Sequence, residues 1–123
     1  MKSKVTILLI LIVLISACPS SKEKSFPQEL IGLWETDEPR YDGCSIEISD
    51  NQIIFSNIHE NYTEYNKITG IEKSVEDGEI LYNIDYENKE GLEYKSSLVY
   101  MKTGGREVIH YKNQKDVQWV KKN

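Results

Sequence analysis

Tyr82, Tyr86, Tyr94 and Tyr100 share one parity within two runs of alternating polarity, Glu79–Glu87 and Leu92–Tyr100, so four phenols fall on one face of neighbouring strands. Hydroxyls set in an apolar wall can orient a small amphipathic ligand, which makes these four the candidate ligand-binding residues. The same rings can instead fill a dry core, each hydroxyl reaching a backbone carbonyl or the rim. Other chemistry is sparse. His59 and His110 are the only histidines and stand at no metal-ligand spacing, so neither a metal nor another cofactor is expected. His110 reads as a surface residue across a hairpin from Glu107 and Lys112. Asp37, Glu38 and Asp42 form an acidic loop without the alternating ligands of a calcium loop, and read as solvated charge. Cys44 lies on an alternating apolar face with no basic neighbour, the setting of a buried structural thiol rather than a nucleophile. No Ser-His-Asp or Cys-His arrangement can be assembled, and no enzyme is expected.

The other cysteine, Cys18, has a different setting. Lys2 and Lys4 precede an apolar run from Val5 to Ile15, broken only by Thr6, and small residues follow. A basic start, a short apolar core and small residues before a cut make a secretory signal. The run is shorter than the ~20 apolar residues of a membrane span. Ile15 is too large for the position three places before an Ala-x-Ala type of cut. Ile15-Ser16-Ala17-Cys18 instead resembles a bacterial lipobox. That resemblance implies a signal peptide over 1–17, cleavage before Cys18 and a diacylglycerol thioether on its sulfur. The membrane then becomes a partner through the lipid on Cys18, and the address is the cell envelope. In a cell with two membranes, Pro19 after the cysteine implies the outer one, facing the periplasm.

Residues 18–28 are polar, with proline at 19 and 27, and read as a lipidated tether. Loss of Lys2 and Lys4 with the signal takes the formal charge from −5 to −7. An acidic chain without a basic stripe offers no phosphate footprint, which excludes nucleic acid as a partner. Cys44 is left without a partner, so no disulfide staples the fold.

Residues 29–123 are enough for one small domain. Cys44–Ser49 alternates as a half-buried strand, Asp50-Asn51 turns, and Gln52–Ile58 returns. Tyr62–Glu72 reads as a long strand bent near Gly70, and Glu79–Glu87 and Leu92–Tyr100 as a hairpin closed at Asn88–Gly91. Glu107–Lys112 and Val117–Lys121 complete the set. No helical stripe occurs after the signal. The expected fold is all-β, an antiparallel up-and-down barrel of about eight short strands, with a β-sandwich as the alternative. Closure pairs the first strand with the last, removes both edges, and brings Trp34 and Trp119 together at the barrel base.

Gly32-Leu33-Trp34 resembles the Gly-x-Trp start of lipocalin-like (calycin) barrels. The resemblance implies that Trp34 closes the base under an arginine of the last strand. Val117–Asn123 contains no arginine, leaving Lys121 or Lys122 for that place. The stretch from Tyr111-Lys112-Asn113-Gln114 to Trp119 is similar to the ends of small bacterial lipoproteins.

Ile46, Ile48, Ile80, Ile84, Leu92 and Leu98 are expected to face inward beside Cys44 and the four tyrosines. Eight short strands enclose little more than side chains of that bulk, so no cavity large enough for a fatty acid is expected. The function that follows is a non-enzymatic protein-interaction module whose exposed loops meet an envelope protein. The alternative is a carrier of a small apolar ligand inside the barrel.

Overall fold

The computed structural model describes residues 26–122. The signal segment, Cys18 and most of the tether lie outside the described residues. Eight strands form one closed barrel in chain order: β1 (Gly32–Thr36), β2 (Cys44–Ile48), β3 (Gln52–Asn57), β4 (Tyr62–Glu76), β5 (Glu79–Glu87), β6 (Glu93–Thr103), β7 (Arg106–Tyr111) and β8 (Trp119–Lys122). Every neighbour pair is antiparallel, and β8 pairs β1 from Leu33↔Lys122 to Thr36↔Trp119. This closure rules out the sandwich. Among the described residues no helix is long and apolar enough to cross a membrane.

Turn chemistry places the two ends. Asp77-Gly78 and Gly104-Gly105 carry positive φ at both residues, the two-residue turn that matches strand twist, and close β4–β5 and β6–β7 tightly. With the β2–β3 turn they form the base, where the chain enters through a 3-10 turn (Gln28–Leu30). The other end, the mouth, carries the longer connections: residues 37–43 with a second 3-10 turn (Pro39–Tyr41), then 58–61, 88–92 and 112–118. The register shifts between Ile68 and Gly70, a bulge that bends the 15-residue β4 where glycine leaves room. Two strand limits differ from the sequence reading. β6 begins at Glu93, leaving Leu92 in the hairpin loop and 57 % exposed, not inward. β8 begins at Trp119, although Val117 just before it is buried.

The interior is packed from the base upward. Trp34, Ile48, Ile53, Tyr82, Ile84, Leu98 and Ile109 are essentially inaccessible, and Phe26 packs against this cluster. Leu81, which breaks the alternation of β5, pairs with Val99, and Val99 pairs with His110. By register these three point away from the interior, yet all are buried. His110 is therefore no surface residue; its Nδ1 lies 2.9 Å from the Tyr111 carbonyl.

Candidate functional site

At the base, the Trp34 indole N–H donates to the Leu30 carbonyl at 3.0 Å, so the entering 3-10 turn supplies the acceptor that a buried indole needs. Lys121, opposite Trp34 in the β1–β8 register, sets its ammonium 5.2 Å from the centre of the indole ring. The same ammonium donates to Glu107 Oε1 at 3.2 Å, and the Tyr100 hydroxyl donates to that oxygen at 2.8 Å. These two donors, Tyr100 first, hold the Glu107 carboxyl below its ordinary range. Burial, with the Glu107 contact, pushes the Tyr100 phenol up to about 12. The Tyr82 hydroxyl donates to Glu29, and burial together with that contact raises the phenol strongly. Two of the four tyrosines thus tie the base shut.

The other two run toward the mouth. Tyr86 stacks on Tyr94, with centres 5.6 Å apart, and meets Phe55 at 5.9 Å. The buried Ser96 donates to the Tyr86 hydroxyl at 3.4 Å. Tyr94 is 44 % exposed, because its end of the β5–β6 hairpin rises past the packed interior. The inward placement expected for it fails for that reason, and the four tyrosines do not form a single wall. Trp119 is also displaced from its expected place. It pairs with Thr36, two residues beyond Trp34 on β1, and packs under Tyr41 at 5.8 Å instead of joining Trp34 at the base.

Over Trp119 the interior opens. A pocket of 420 Å³ at the mouth is lined by Tyr41, Ile46, Phe55, Tyr111 and Trp119, with Cys44, Asn57, Glu60, Tyr62 and Gln114 around them. That volume falls in the range of about 300–1,000 Å³ common for small-molecule sites. It departs from the filled interior expected from sequence, since short β1 and β8 leave the upper barrel to loop residues. Cys44 is half-buried here and accepts from Asn57 Nδ2 at 3.4 Å, so it is less enclosed than its alternation implied. Burial raises the Tyr111 phenol. The Trp119 indole N–H is buried and has no hydrogen-bond partner among the described residues.

The loop over the pocket is tied down by side chains. The Gln114 amide donates to the Tyr41 hydroxyl at 2.8 Å, Arg40 bridges to Asp116 at 3.2 Å, and His59 pairs with Asp42 at 3.1 Å. Two of the three carboxylates of the acidic loop pair at the surface: Glu38 accepts from Arg40, whose contact lowers its carboxyl, and Asp42 meets His59. Among the described residues no group of three or more His, Cys, Asp or Glu could hold a metal ion. Sequence reasoning passed over Tyr41, Phe55, Tyr111 and the 3-10 turn that brings Tyr41 in. The only trace was Tyr41 beside Pro39 in a stretch otherwise read as loop.

No protein-family model matches the chain, and no curated protein or solved structure is significantly similar to it.

Proposed function

We propose that this chain is a lipid-anchored envelope lipoprotein that acts as a non-enzymatic interaction module through the loops of its open end, meeting another envelope protein there. One observation carries the reading: most of the exposed large apolar side chains lie at or near the mouth, with Val75 and Leu33 the two toward the base. Ile58 is 78 % exposed in the β3–β4 connection and Leu92 57 % in the β5–β6 hairpin, with Tyr62 and Tyr94 beside them on the flanking strands. Clustered exposed apolar groups on one end of a small domain mark a contact surface. The entry of the chain favours the same end. Phe26 lies at the base, and eight residues from Cys18 reach at most about 26–29 Å. A lipid on Cys18 would hold the base toward the bilayer and present the mouth outward.

The experiment places a photo-reactive side chain at Ile58 or Leu92, and for comparison at Asp77 or Gly104 in the base turns, of the natively anchored protein. Adducts to one envelope protein from the mouth positions only are expected. Equal adducts from both ends, or none from the mouth, refute the reading. The mouth pocket favours a second reading, a carrier of a small ligand, sited beneath Tyr41 instead of among the four tyrosines.

A further inference from the structure

Five aromatic residues line the mouth pocket, Tyr41, Phe55, Tyr62, Tyr111 and Trp119, and they are joined by one carboxylate, Glu60. No lysine, arginine or histidine is among the lining residues. Aromatic faces carry negative quadrupole charge and attract weakly hydrated cations, and a carboxylate at the rim adds to that attraction. A fatty acid would have to desolvate its own carboxylate beside Glu60 with no cation in the lining, an unfavourable burial. We infer that the mouth pocket binds a small organic cation, a quaternary ammonium group, held against these aromatic walls with Glu60 at the rim. This rests on the carrier reading of the open end. The same chemistry is offered by a free ammonium compound and by a choline lipid headgroup.

The test titrates the full chain carrying Cys18→Ser with a neutral fluorescent probe, N-phenyl-1-naphthylamine. Choline, tetramethylammonium and laurate then compete with the bound probe. Choline and tetramethylammonium should displace it saturably, and laurate should not. Glu60→Gln, at an exposed position, should weaken both cations about threefold. Tyr62→Ala removes an accessible ring of the lining. It should weaken choline and tetramethylammonium alike, about threefold. Capture by phosphatidylcholine but not phosphatidylglycerol vesicles assigns the cation to a lipid headgroup. Free-cation binding without vesicle capture assigns it to a soluble compound, and both results support the inference. Probe binding that laurate displaces better than choline, or that no cation displaces, overturns the cation and leaves the carrier reading standing. Failure of every compound, probe included, overturns both.

Discussion

Lys121 does at the barrel base what a planar guanidinium would do differently. Its ammonium is a compact charge on a flexible stem, placed over the Trp34 ring while donating to Glu107. The stem also lies 3.2 Å from where a Cβ on Gly32 would sit, so a side chain at Gly32 would push Lys121 off the indole. Trp34→Ala should cost ~3–5 kcal/mol, read from urea denaturation, because the whole indole is buried; a loss under about 1 kcal/mol would contradict its role in closing the base. The same cluster sets a pH dependence. Glu107 titrates below its unfolded value of 4.5, so its contribution is present above that value and is lost as pH falls through the lowered one. Tyr100 is shifted the other way, so its contribution is full below 10 and is lost as pH rises toward about 12. Glu107→Gln should flatten the acid side of a stability-against-pH curve, measured by urea midpoints. An unchanged acid slope would show that the pairing does not couple to folding.

At the level of the elements, one glycine fixes how two mouth connections meet. Gly43 adopts φ +85 where β2 begins, and a Cβ there would run into the His59 ring. Gly43→Ala should therefore both strain the backbone and break the His59–Asp42 tie that joins the β1–β2 and β3–β4 connections. The expected loss is ~1–3 kcal/mol by chemical denaturation. Gly78→Ala in a base turn has a similar φ but open space around it, and should cost less. Equal losses would reduce the Gly43 effect to backbone strain alone. The β5–β6 hairpin was legible because alternation and turn residues agree over Glu79–Tyr100. The 3-10 turn at Pro39–Tyr41 was not, because a polar stretch with proline looks like any loop until the Gln114 amide, 73 residues away, donates to the Tyr41 hydroxyl.

For the whole molecule, the proposed lipid anchor on Cys18 is the first thing to test. Cys18→Ser should abolish acylation by mass spectrometry and release the protein from the membrane fraction, while leaving the all-β circular dichroism unchanged; retained acylation would dismiss the lipid anchor. The strand count, the antiparallel order and the importance of Trp34 are determined by the sequence alone, because alternation, turn residues and a Gly-Leu-Trp entry are local signals read within a few positions. Closure is a tertiary event. It pairs Leu33 with Lys122 across almost the full length of the described chain, and so selects Lys121 as the cation over Trp34. It also lifts Trp119 one layer toward the mouth, since an antiparallel register places each step of β8 opposite the reverse step of β1. Period-two alternation tells which face a residue occupies, but not its height along the barrel. Tyr82 and Tyr94 share a parity, yet one is sealed and the other stands at the rim, and the pocket exists because rings from five separate connections and strands meet above the point where packing ends.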